Sequence, residues 1–181
     1  MLRILTLLLV MLMGATSCTE DSSISRRYPC RFYFYHDPHP TSLVFSAYKA
    51  VGMYVYVYTK VENGGRRHVY VQSNDSKTPL EDNVIATDVE LQAPYLLGAN
   101  SQIGLILGCT NFSGPCAYDR ICPNCPMLQA MGWAANRQHV QCPKCSRVYD
   151  LESGSIVSGG EGEPLLRYNI NFDGVRLQVW N

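Results

Sequence analysis

The chain has no excess of charge of either sign: 15 Lys and Arg balance 15 Asp and Glu across 181 residues, and the basic residues form no block. That balance excludes the polyanion groove of a nucleic-acid-binding domain, which needs many phosphate-neutralising cations on one face, so nucleic acid is not an expected partner. Also missing are a Ser/His/Asp spacing, a close carboxylate pair in a cleft-like motif and a glycine-rich phosphate loop; residues 159–162 (GGEG) precede a Pro-Leu step and read as a turn. Catalysis by side chains alone therefore has no motif behind it, and a non-enzymatic carrier or binding domain is the expectation. No apolar run approaches the ~20 residues of a membrane-crossing helix. Present in quantity are 12 Tyr, 14 Gly, 10 Pro and 8 Cys. Aromatic residues suit a pleated, half-buried surface and Gly and Pro suit turns, so one β-rich domain is expected.

Residues 1–17 read as an export leader: Arg3, a mostly apolar run over 4–13, then small residues up to Cys18. A ten-residue helix reaches roughly 15 Å, half of the ~30 Å hydrocarbon core, which makes an uncleaved anchor a poor alternative. Ala15-Thr16-Ser17-Cys18 resembles a bacterial lipobox, in which the cysteine carries the lipid. The resemblance implies a lipoprotein anchored through Cys18 to a bacterial membrane, on its periplasmic or surface side, with residues 18–27 as a polar tether. Ordinary cleavage leaving Cys18 free is the other option.

Strand signals follow. Residues 28–35 (YPCRFYFY) are dense in aromatics, and 53–59 (MYVYVYT) alternate Tyr54, Tyr56 and Tyr58 against Val55 and Val57, the period of a strand with two different faces. Asn63-Gly64-Gly65 turns the chain into 67–72 (RHVYVQ), a hairpin partner. Residues 84–91 and 93–97 suit strand or short helix. The continuous apolar run 103–109 (IGLILGC) reads as a buried strand with 116–121 after it, and Asp173-Gly174 joins a last hairpin. The domain spans 28–181, with metal-binding loops at about 118–150 and a seam between two lobes near residue 115.

Cys122-Pro-Asn-Cys125 and Cys142-Pro-Lys-Cys145 are two C-x-x-C pairs sixteen residues apart. Two residues between thiolates let a tight turn aim both sulfurs inward, and two such turns make an S₄ site suited to zinc or to iron and sulfur. In an oxidising compartment disulfides are the alternative, and a redox dithiol a further one. Cys30, Cys109 and Cys116 remain; the last two flank a turn and could bridge it, with Cys30 left as a buried apolar residue, or all three could be buried thiols. His36 and His39 fall in a Pro-containing loop and His68 in a strand; His139 lies close before Cys142, where a surface or core place suits it better than a ligand's.

Residues 142–151 (CPKCSRVYDL), Gly154, 162–168 (GEPLLRY) and the closing hairpin resemble the second half of a Rieske domain. Upstream, 103–107, Tyr118-Asp119 and Cys122-Pro123 resemble its first cluster-loop strands. The resemblance covers roughly residues 100–181 and implies a Rieske-like antiparallel β-sandwich with a small zinc-ribbon-like metal lobe. The family takes a histidine from each loop, but here Asn124 and Cys145 stand at those positions. The implied ligand set is Cys122, Cys125, Cys142 and Cys145, holding either a [2Fe–2S] cluster that passes electrons to a redox protein partner, or Zn²⁺ in a non-redox binding or structural domain. Tyr149 stands where the family has an aromatic residue that can hydrogen-bond a ligating sulfur, or else fills the core. Ser146, where Gly is usual, either donates to a sulfur or caps the turn. No twin-arginine pair precedes the apolar stretch, so the chain is expected to cross unfolded, which favours zinc acquired afterwards.

Overall fold

The computed structural model describes residues 23–181, so the leader and Cys18 lie outside the described residues. Strands hold 40% of the described residues and helices 7%, which makes the class all-β as composition implies. Nine strands, numbered in chain order, form one antiparallel sheet. Its spatial order is β4 (Glu81–Val84), β3 (Arg67–Ser73), β2 (Tyr54–Val61), β6 (Leu105–Thr110), β7 (Gly114–Asp119), β12 (Arg167–Phe172), β13 (Arg176–Trp180), β1 (Arg31–Tyr35) and β5 (Tyr95–Leu96). β12 makes the bend: Arg167 and Tyr168 pair with β7, whereas 169–172 pair with β13. A strand that changes partners along its length turns the corner of a sheet. The expected sandwich is thus one curled sheet whose two halves share an apolar interior, with Val55, Val57, Leu105 and Leu107 from one half and Phe32, Phe34, Leu177 and Val179 from the other.

Helix α1 (Leu43–Lys49), absent from the sequence reading, adds Val44, Phe45 and Ala47 to that interior and starts at Ser42, whose hydroxyl accepts from the Val44 amide. The one-turn helix α2 (Asp88–Leu91) opens with a capping box between Thr87 and Glu90. Glu90, 1% exposed, also meets His39 Nε2 at 2.6 Å, and the His39 ring stacks on Phe34. Burial pushes the Glu90 carboxyl up, but hydrogen bonds from Thr87 and His39 outweigh it and hold the group below its ordinary 4.5. A carboxylate with a lowered folded pKa stabilises above its unfolded pKa and loses that contribution as pH falls through the folded value. Urea titrations of wild type against Glu90→Gln should therefore diverge near neutrality and begin to converge only as pH falls below about 4.5, the ordinary value, closing fully beneath the lower folded one; curves that stay parallel would remove the ionised pair from the account.

β2 is buried on both faces. Val55 and Val57 enter the interior, while Tyr54 and Tyr56 point outward into a second core with Ile106, Cys116 and Tyr118. That outer face is covered by a four-stranded sheet, β11 (Ile156–Ser158), β10 (Val148–Asp150), β9 (His139–Gln141) and β8 (Gly132–Trp133), carried by residues 120–166 between β7 and β12. Residue 115 lies inside β7, paired with Cys109, so the two lobes divide after Asp119 and not near 115. Double-sided cover explains why 103–109 is apolar throughout.

The exit from β7 is fastened by Asp119, which is fully buried. Its carboxylate accepts from the Ile121 amide (3.0 Å), the Ala99 amide (2.8 Å) and the Tyr168 hydroxyl (2.9 Å). Burial pushes its pKa up against those three donors. The expected tether 18–27 is in part attached to the domain. Ile24 bridges to Arg167, Asn181 Nδ2 donates to the Ser25 and Tyr28 carbonyls at 2.8 and 2.7 Å, and Arg27 meets the Pro123 carbonyl and Glu163, both at 3.0 Å.

Candidate metal centre

Each C-x-x-C pair forms a tight turn. The Cys125 amide donates to the Cys122 carbonyl at 3.5 Å, and the Ser146 amide to the Cys142 carbonyl at 2.9 Å. Ser146 has φ +60°, the left-handed backbone that glycine adopts most cheaply, and among the described residues its hydroxyl donates to no sulfur; its place is that of the turn-former. Amides after the first cysteine of one pair and the last of the other point at sulfur: Asn124 N–H at Cys122, and Arg147 N–H together with its guanidinium at Cys145.

The two turns face each other. Cys122 and Cys145 sulfurs are 3.7 Å apart, Cys125 and Cys142 sulfurs 3.6 Å, and all four lie within 4.8 Å of one another. Cys122 and Cys142 are wholly buried, whereas Cys125 and Cys145 reach the surface in part. Burial pushes the Cys122 and Cys125 thiols up, hydrogen bonds with the neighbouring thiols adding to it at Cys125; at Cys145 burial is overcome by the Arg147 amide and guanidinium, which bring the thiol down to about 6. The centre thus already favours one thiolate, and a bound cation would favour the other three.

Tyr149 is fully buried, and its hydroxyl lies 3.3 Å from Cys122 Sγ. Because the hydroxyl oxygen accepts from Asn124 Nδ2 at 2.9 Å, its proton is free to point at the sulfur. Tyr149 therefore fills the lobe's core and touches the sulfur at once. Asn124 is a clamp and not a ligand: Nδ2 donates to the Glu163 carbonyl at 2.7 Å and Oδ1 accepts from the Glu163 amide at 2.9 Å. Gly162 makes room for it, since a Cβ there, on a backbone at φ +155°, would stand 2.7 Å from Asn124 Cγ. This clamp joins segments 39 residues apart, and nothing local in the sequence signals it.

The histidines sit elsewhere. His139 bonds Asn136 and faces Asp150, His68 pairs with Asp82, His36 lies beside Asp37 and His39 beside Glu90. The bridge considered between Cys109 and Cys116 is not formed: the register sets Cys109 opposite Pro115 and Cys116 opposite Gly108, so their side chains leave opposite faces of the sheet. Both are buried free thiols, as is Cys30, and burial pushes Cys30 and Cys116 up to about 12. No family model, curated protein or solved structure matches this chain. The site therefore stands on its own geometry. One consequence concerns the tyrosine hydroxyl. Tyr149→Phe should keep the fold and weaken metal retention about tenfold, the scale of losing a partner that orients a ligand, in competition against a chromophoric chelator.

Proposed function

We propose that the protein is a zinc-stapled β domain, tethered to the cell envelope through Cys18, whose work is binding and not catalysis. Zn²⁺ held by Cys122, Cys125, Cys142 and Cys145 would clip the inserted lobe onto the outer face of the large sheet. The observation that carries this reading is the span of the four sulfurs, all within 4.8 Å and closest at 3.6 Å. A tetrahedron with metal–sulfur bonds of about 2.3 Å has edges of roughly 3.8 Å. A two-iron cluster would take two thiolates on each iron, so sulfurs on different irons would stand farther apart than the edges of a single-metal tetrahedron. The electron-carrier reading draws support from the Tyr149 hydroxyl beside Cys122, since hydrogen bonds to ligating sulfur set cluster potentials.

Elemental analysis of the anaerobically purified chain separates the two. One zinc per chain without acid-labile sulfide or visible absorption is the expected result. Two irons and two sulfides would replace the staple with an electron carrier.

A further inference from the structure

Arg120 leaves β7 just ahead of the first cysteine turn, is largely buried, and stacks its guanidinium 3.8 Å from the Tyr56 ring centroid. Trp133 lies 3.8 Å from the same ring at an interplanar angle of 4°; two groups so close to one ring must occupy opposite faces of it. Arg120 Nε donates to the Met131 carbonyl at 3.1 Å and Nη1 to the Ile103 carbonyl at 3.4 Å. No carboxylate among the described residues pairs with it, and the side chains that act on its charge are Tyr56 and Tyr58. A guanidinium partly withdrawn from water without a counter-charge is short of the solvation it would have at the surface. Close by, the indole N–H of Trp133 is buried without an acceptor. Arg120 and Trp133 line a cavity of about 330 Å³, at the lower end of the range for small-molecule sites, with Met131, Pro143 and Ala130 as apolar walls and Gln141 at the rim.

We propose that this cavity binds a small carboxylate with a flat apolar body, its carboxylate on Arg120 and its body against the apolar walls of Ala130, Met131 and Pro143. The planar guanidinium matches a carboxylate edge to edge, and a single positive charge among apolar walls suits one negative charge better than a phosphate. No group lining the site is a thiolate, so it does not depend on which metal the four cysteines hold, but Pro143 lies in the second cysteine turn and the probes are therefore added to the metal-loaded chain.

The chain has two tryptophans, so a Trp180→Phe variant reports Trp133 fluorescence alone. Sodium benzoate is the probe, with benzamide as its neutral isostere and inorganic phosphate as the plain anion. Saturable quenching by benzoate, at least tenfold weaker for benzamide, is expected, and benzoate should raise the melting temperature of the wild-type chain. Arg120→Lys should weaken benzoate binding severalfold while keeping the charge. Equal responses to benzoate and benzamide, no response to benzoate, or tighter binding of phosphate would each overturn the proposal. Since the benzoate and benzamide comparison needs no change at Arg120, a variant that fails to fold does not spoil the test.

Discussion

Cys142→Ser should strip the metal and release the small sheet while the interior of the large sheet stays closed. Cys142 is fully buried, and its sulfur lies 3.6 Å from that of Cys125 at the centre of the four-thiol cluster. A serine hydroxyl is a poor ligand for a thiophilic ion, so one substitution removes the staple and not a quarter of it. Structural zinc sites supply about 10–16 kcal/mol of apparent binding free energy, as much as an entire domain's usual ~5–15 kcal/mol of stability. The strands it holds are short: β8 has two residues and β9, β10 and β11 three each. Sheets of that size do not stand alone in water. Hydrogen exchange should show residues 122–166 losing protection in the variant, or in wild type under a strong chelator, while β2, β3 and β6 keep theirs. Equal protection with and without metal would mean that packing against Tyr54, Tyr56 and Tyr118 already suffices, and the staple would have no work to do.

Asp119→Ala should be the most damaging change outside the cysteines. It leaves the amides of Ile121 and Ala99 and the Tyr168 hydroxyl without their acceptor in a fully buried site. Each orphaned donor costs about 1–3 kcal/mol, and partial relaxation brings the total to roughly 4 kcal/mol. For a chain of this length that is a fall of roughly 10 °C in melting temperature. Asp119→Asn, which preserves the shape and one acceptor oxygen, should lose about half as much. A drop below ~1 kcal/mol for the alanine variant would show that water enters and takes over the three donors.

What was legible in the sequence was local. The spacing of the four cysteines, the Asn63-Gly64-Gly65 turn between β2 and β3 and the Asp173-Gly174 turn between β12 and β13 each depend on a few adjacent residues, and each is found where expected. The Tyr/Val alternation of β2 shows two faces, but that both are buried follows only from a lobe encoded far downstream. α1 escaped because seven residues make too short a helix to show a periodic pattern or to stand alone, and it gains its order from the interior that Val44, Phe45 and Ala47 plug. The parity that keeps Cys109 and Cys116 apart is a matter of one residue of register, which the length of a turn does not reveal. The Asn124 clamp, the Asp119 hub and the Arg120 stack are all long-range meetings of polar groups, for which a single sequence carries no periodic signal.

The place where the lobe enters the sheet has a kinetic consequence. β7 and β12 are neighbours, Tyr118 pairing with Arg167, yet residues 120–166 must be gathered in before they can meet. Closing so long a loop is an entropic toll on the route to the native state, and it grows with the length of chain left free. Metal bound early by the cysteine turns would shorten that free length by tying 122–125 to 142–145. Refolding from denaturant should therefore be faster when metal is present from the start than when it is added after β7 and β12 have paired, so that the ion would act as a chaperone of topology as well as a clasp.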